Sequence, residues 1–151
     1  MRIAFDTNIL VYAEGVNGAA RQEAALNLIG NLEANDRCVP LQALGELFNV
    51  LTRRAALSRE AARAAILSWR NLLSLLDTSS AVLLAALDVA ADHQLSIWDS
   101  IILAAAAMGG CRLLLSEDLQ HGFTWGGVTV VNPFAASPHP LLAALLAGPA
   151  Q

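Results

Sequence analysis

Met1-Arg2-Ile3-Ala4-Phe5-Asp6-Thr7-Asn8 opens the chain, and its reading decides the fold. A short apolar strand over residues 2–6 ends on an acid. A second such stretch, Arg112-Leu113-Leu114-Leu115, runs into Ser116-Glu117-Asp118. Between the two, helical patterns alternate with short strands. Helices are expected at 19–34 and 41–54, from a Ser58 cap to about 72, from a Ser80 cap to about 92, and from a Ser96 cap to about 108. Gly109 and Gly110 terminate the last of these. Strands are expected at 37–39, ending at Pro40, and at 74–78, 112–115 and 128–131. This alternation predicts an α/β fold with a mostly parallel sheet. In such sheets ligands bind outside the carboxyl ends of the strands, where Asp6 and Asp118 both fall.

Composition sets the bounds. A chain of 151 residues reads as one domain, and at this size it buries about 68–70% of its unfolded surface, so it needs no covalent staple. Cys38 and Cys111 form neither a disulfide framework nor a zinc pattern, which fits a reducing compartment. No signal peptide is visible, because the opening strand is too short for its apolar core. The longest apolar run, Ile101 to Met108 and on through two glycines, is too short and too rich in Ala and Gly to span a membrane. A soluble cytoplasmic protein is expected. Mean hydropathy is high, at +0.51, which points to apolar surface covered by a partner or a second copy. The net charge of −4 does not advertise a nucleic-acid binder. All nine cations, however, are arginines, and Arg53, Arg54, Arg59, Arg63 and Arg70 fall close together.

Only 13 acids serve a chain that is 56% hydrophobic, so their placement is informative. Asp6 and Asp118 follow strands, Asp99 lies in the first turn of a helix within Ser96-Ile97-Trp98-Asp99, and Glu46 lies in a mostly apolar helix. On that helix Gln42, Glu46, Asn49 and Arg53 fall within about 60° of one another, which suits a solvated stripe or the lining of a cleft. Asp99 also fits a capping box with Ser96. Asp6 also suits an Asx-turn, Asp118 an ordinary loop, and Glu117 competes with Asp118 for any role. The joint case is stronger than its parts. Two carboxylates at about 4 Å repel by about 1 kcal/mol in water and about 4 kcal/mol at an effective dielectric of about 20. A fold that gathers four needs a cation or must protonate some of them. Oxygen ligands suit Mg²⁺ or Mn²⁺, and such an ion can acidify a water and steady a leaving oxygen of a phosphodiester. Thr7 and Ser116 can hydrogen-bond a carboxylate, a water or a phosphate, and Asn8 can orient Asp6 or form a turn.

Arg59, Arg63 and Arg70 share a helix stripe within about 40°. With Arg53 they can track an RNA backbone, or simply form a solvated face. Aromatics are too scarce for a base-stacking platform. Trp69, Trp98 and Phe48 are expected in the core. His93 suits a helix C-terminus, and Asp77, Asp88 and Asp92 read as surface or turn residues. His121 lies near Asp118 in sequence and reads more as a bystander than as a ligand.

Taken together, these motifs resemble the PIN-domain nucleases. The resemblance rests on Asp6-Thr7-Asn8-Ile9-Leu10, on Glu46 with Asn49, on Leu95 to Ala106 around Asp99, on Leu115-Ser116-Glu117-Asp118-Leu119, and on the closing Val130-Val131-Asn132-Pro133-Phe134. Their order and spacing are specific as a set. Length and the lack of other domains look like VapC-type toxins of type II toxin–antitoxin pairs. The resemblance implies a three-layer α/β/α sandwich over residues 1–135 with a tail at 136–151. It implies Mg²⁺- or Mn²⁺-dependent endoribonuclease activity, often on tRNA or ribosomal RNA, leaving 5′-phosphate and 3′-hydroxyl ends. Asp6, Glu46, Asp99 and Asp118 fall on the family's catalytic, metal-binding acids, and Thr7 and Ser116 on its hydroxyl positions. It also implies homodimerisation and silencing by a cognate antitoxin. Ser100 departs from the family, which commonly has Ala there. Two rivals remain: a catalytically idle RNA- or partner-binding module, and a metal-dependent phosphatase, against which Asp6-Thr7-Asn8 lacks a second Asp two residues on. DNA cleavage by the same site is a third.

Overall fold

The two stretches that end in acids lie side by side. In the computed structural model, which describes residues 1–148, β1 (Ile3–Phe5) and β4 (Leu113–Leu115) pair in parallel with Phe5 opposite Leu115. Every residue of both strands is buried. Strands covered on both faces need apolar side chains throughout, which is why they read as unbroken apolar runs. Outward from β1 lie β2 (Arg37–Pro40) and β3 (Ser74–Leu76); outward from β4 lie β6 (Val128–Val131) and β5 (Thr124–Trp125). The sheet order is β3-β2-β1-β4-β6-β5, parallel except for the β5–β6 hairpin. That hairpin turns on Gly126 and Gly127, both at positive φ (58° and 83°), as a two-residue turn of this twist requires.

Among the described residues seven α-helices accompany the sheet: α1 (Thr7–Ala13), α2 (Ala19–Gly30), α3 (Leu41–Arg53), α4 (Arg59–Leu72), α5 (Ser80–His93), α6 (Ile97–Met108) and α7 (Pro140–Leu146). α1 packs on α2 and α3, and α3 on β2 and α4. α5 packs on α6, which lies along β2, β4 and β6. The result is a three-layer α/β/α sandwich. α6 is buried without a break from Ser100 to Ala106, and its small residues let it lie close to its neighbours. The chain moves from β1 out to β3, then returns through α5 and α6 to β4 on the other side of β1. The β1–β4 junction is therefore the switch point of the topology, where a crevice opens beyond the carboxyl ends of the strands.

Several expectations need correction. The helix expected at 19–34 stops at Gly30, and a single 3₁₀ turn, Ala34–Asp36, leads into β2. Ser79, not Ser80, caps α5, because its hydroxyl is the one that accepts from the Val82 N–H three residues on. Trp98 is 56% exposed and not in the core, since the continuous buried stretch of α6 begins only at Ser100. Trp69 is buried as expected, with its indole N–H donating to Glu14, and Phe48 is half-buried against the core. α1 and β5 were not anticipated. The short apolar run of the tail forms α7, with Leu142 buried in the main core.

Gly109 gives a local test of packing. A Cβ there would stand 2.5 Å from Leu76 Cδ2, and Leu76 is buried. Gly109→Ala is expected to destabilise the protein by about 1–3 kcal/mol, the cost of overpacking. Urea unfolding checks this; an unchanged midpoint would mean that Leu76 rotates away freely.

Candidate active site

The switch-point crevice is a cleft of about 640 Å³ whose lining includes Asp6, Glu46, Asp99 and Asp118. Each comes from a different part of the fold. Asp6 leaves β1 and caps α1, its Oδ1 accepting from the Thr7 N–H at 2.7 Å. It is 3% exposed. Ser116, the residue after β4, is fully buried and donates its hydroxyl to Asp6 Oδ2 at 2.6 Å. The register places them together: the Asp6 N–H bonds the Leu115 carbonyl, and the Ser116 N–H bonds the Val131 carbonyl. Ser116 Oγ also accepts from the N–H groups of Asp118 and Leu119, shaping the turn that presents Asp118.

Asn8 ties these pieces into one unit. Its Oδ1 accepts from the Glu117 N–H, which fixes the orientation of the amide. Its Nδ2 then points at Asp6 Oδ2 and Asp118 Oδ2, each at 3.2 Å, and at Ser116 Oγ at 3.3 Å. On the opposite wall, Thr7 Oγ1 donates to Glu46 Oε2 at 2.7 Å, joining α1 to α3. The polar stripe of α3 does line the cleft, through Gln42, Glu46 and Asn49. Asp99 serves both of its readings. Its backbone N–H completes the cap with Ser96 Oγ, while its side chain lines the cleft.

Burial is what makes Asp6 unusual. It pushes the Asp6 carboxyl up to about 6, against the pull of the hydrogen bonds from Ser116 and Thr7, and the nearby charges of Asp99 and Glu46 push the same way. A buried acid beside other acids favours either a proton or a cation. Among the described residues, no three His, Cys, Asp or Glu side chains are gathered tightly enough to cage an ion by themselves. That still fits Mg²⁺, which is typically held by one or two carboxylates, several waters and the phosphate of a substrate.

Other candidates lie elsewhere. Glu117 is not among the residues lining the cleft and pairs with Arg21 at 3.1 Å, and Arg21 in turn lies over the Tyr12 ring. His121 Nδ1 accepts from the Asn132 N–H, and His121 does not line the cleft. His93 packs edge-on against Phe123. Arg59, Arg63 and Arg70 line a separate apolar groove between α3 and α4, beside Leu44, Phe48 and Ile66. Arg53 is exposed and lines neither depression; its neighbour Arg54 lines the cleft. Tyr12 and Asn17 are cleft residues that sequence patterns did not single out, and Arg54 is a third, noted in the sequence only as a member of the arginine cluster.

Solved structures share this architecture. A toxin–antitoxin complex from Klebsiella pneumoniae matches at a TM-score of 0.66 and 19% identity, covering 87% of this chain and 98% of that one. DNA-bound VapBC from Salmonella typhimurium matches at 0.64 and 17%, covering 86% and 96%. VapC20 of Mycobacterium tuberculosis, a sarcin–ricin loop cleaving toxin, matches at 0.63 and 21%, covering 77% and 89%. At these identities the likeness is one of fold. A search of curated proteins gives no match. The PIN-domain family profile matches residues 3–122, the span that carries all four carboxylates and both strands that frame them, and the chain belongs to the PIN-domain family.

Proposed function

We propose that this cleft is the active site of an endoribonuclease that hydrolyses RNA phosphodiester bonds with a divalent cation, and that the protein is the toxin of a type II toxin–antitoxin pair. The observation that carries the reading is the convergence of four carboxylates from four separate segments on one cleft at the switch point. Asp6, Asp99 and Asp118 would hold Mg²⁺ or Mn²⁺, with Glu46 as a further ligand or as the group that orients water. The bound ion would supply Lewis acidity, acidifying a water and neutralising charge on the phosphate. The chain's own residues do the rest. Ser116 and Asn8 hold the Asp6 carboxylate with its Oδ2 fully engaged by donors. Thr7 holds Glu46 in a defined rotamer. Glu46 and Asp99 are half-buried on the walls of the cleft and can accept a proton from the attacking water. Asn49 stands beside Glu46 on α3 to steady the substrate.

The toxin reading draws on the structural neighbours, which include a toxin–antitoxin complex and a sarcin–ricin loop cleaving toxin. An antitoxin is the proposed protein partner. Arg53, Arg59 and Arg63 would contact RNA phosphates outside the cleft. The exposed Leu83, Leu84 and Leu87 of α5 support a homodimer, since such a face is costly to leave in water. No helix among the described residues is long and apolar enough to cross a membrane, and the proposed site of action is the cytoplasm. Residues 1–135 are proposed as the nuclease domain, with 136–151 as an appendage.

Total RNA incubated with the antitoxin-free protein should give discrete fragments with Mn²⁺ or Mg²⁺ and none with EDTA. Folded protein that leaves RNA intact in both metals would replace the nuclease with a binding module. Turnover of p-nitrophenyl phosphate without RNA cleavage would replace it with a phosphatase.

A further inference from the structure

Among the described residues, Arg54 is the one cation that lines the acidic cleft. It shares that cleft with four carboxylates, yet it pairs with none of them: among the described residues the only ion pairs are Met1–Asp36 and Arg21–Glu117. Arg54 is exposed, and its backbone stands at the far end of α3 from them. Arg54 is the C-cap of α3, its N–H bonded to the Val50 carbonyl at 2.8 Å. The chain then reverses through Ala56, which adopts a left-handed conformation (φ 53°), and is fastened by the Leu57 N–H to the Leu51 carbonyl. Such a conformation costs a non-glycine residue about 1–2 kcal/mol and persists only where its surroundings impose it. Eight residues separate Glu46 from Arg54, so the guanidinium stem is anchored on the order of 12 Å farther along the helix axis.

The wall between them is polar and open to solvent. Gln42, Asn49 and, across the cleft, Asn17 make no side-chain hydrogen bonds among the described residues. The cleft is thus negative at the strand ends and positive at its α3 end, with free amides between. A polyanion entering it meets repulsion at the carboxylates and needs a cation to offset this. Arginine and amide side chains are the common donors to phosphate and sugar oxygens.

We propose that Arg54 is a positioning residue that binds an RNA phosphate flanking the one that is cut, setting how the strand lies along α3. This rests on the reading of the cleft as an RNA-cleaving site. The test separates the two. The probe is a randomised pool of single-stranded RNA 12-mers, fluorescently labelled, in Mg²⁺, with cleavage silenced by Asp6→Asn in every protein. Salt is varied and the slope of log Kd against log salt is read. Each phosphate neutralised on a single strand contributes about 0.7 to the slope. Arg54→Ala is expected to weaken binding several-fold and to flatten the slope by about 0.7, the share of one phosphate. Arg54→Lys, which keeps the charge, should restore most of the slope, whereas a merely structural role would leave it flat. Arg112→Ala, an exposed arginine at the end of β4 away from the cleft, should change neither quantity. An Arg54→Ala protein with unchanged slope, or an Arg112→Ala effect equal to or larger than it, overturns the subsite while leaving the RNA site standing. A parent protein that binds no RNA, while still folded by thermal melting, overturns the underlying reading and the subsite with it.

Discussion

Asp6→Asn should remove metal-dependent RNA cleavage while making the metal-free protein more stable. The loss of activity is expected to be on the order of 10³-fold or more, comparable with removing a main electrostatic group from a reacting centre. The gain in stability follows from burial. The Asp6 carboxyl is 3% exposed and is pushed up to about 6 from its ordinary value of 3.8. A folded-state value above the unfolded one means that folding favours the proton. The stabilising contribution is therefore complete below pH 3.8 and is lost as pH rises through about 6. At pH 7.5 the wild-type protein in EDTA carries the full cost of a buried charge, about 3 kcal/mol for a displacement of this size. Asparagine has nearly the same shape and no charge; its one oxygen can take the place of Oδ2 and accept from Ser116 and Asn8, while its amide nitrogen then faces the Thr7 N–H and loses that bond, a smaller loss than the buried charge. Thermal melts in EDTA should show the variant above wild type at pH 7.5, with the two converging toward pH 4. A variant that melts below wild type at pH 7.5 would show that the hydrogen bonds to the carboxylate outweigh its desolvation.

Asn8→Asp should have the largest effect on folding. The substitution is nearly isosteric, yet it replaces a donor with an acceptor 3.2 Å from both Asp6 and Asp118. At about 4 Å and an effective dielectric of about 20, each such pair costs about 4 kcal/mol. Asp118 is exposed and its share is screened, so the buried contact with Asp6 dominates. A loss of roughly 3–4 kcal/mol is expected at pH 8 in EDTA, against about 1–3 kcal/mol for Asn8→Ala, which only leaves partners unpaired. Lowering the pH to 5 should restore much of the difference, because adjacent carboxylates can share a proton. Denaturant unfolding at the two pH values decides it. If Asn8→Asp and Asn8→Ala unfold alike at pH 8, the amide is not the separator of charges described here.

Much of this was legible in the chain because burial on both faces leaves a plain mark. Ile3–Phe5 and Leu113–Leu115 could be read as strands from their unbroken apolar character, and the sheet places them side by side at its centre. The acids at their ends then followed from topology. α1 was not legible. Thr7–Ala13 is under two turns long and carries Thr7, Ile9, Val11 and Tyr12, residues that favour strands; it is helical because its apolar side chains are driven into the core and Asp6 caps it. β5 is two residues long and exists through its hairpin partner. Within the cleft, the α3 stripe was legible as far as Asn49, since helical spacing holds that far. It failed at its end: spacing favours Arg53, whereas Arg54, at the helix terminus, is the one that lines the cleft. Trp98 misled because its size suggests burial, while its position on the first turn leaves it in water.

The placement of β4 beside β1 has a bearing on how such a protein is made. The partner of β1 on that side lies more than a hundred residues downstream. Until it has been synthesised, the emerging polypeptide has a central strand with an open flank, and Asp6 lacks Ser116, Asn8 lacks its anchor at Glu117, and Asp118 does not yet exist. A fragment still on the ribosome therefore holds an incomplete set of acids on an unfinished scaffold. Under the proposed RNA-cleaving function, the ribosome making the chain would face no complete site until residue 118 had been delivered and β4 had docked on β1.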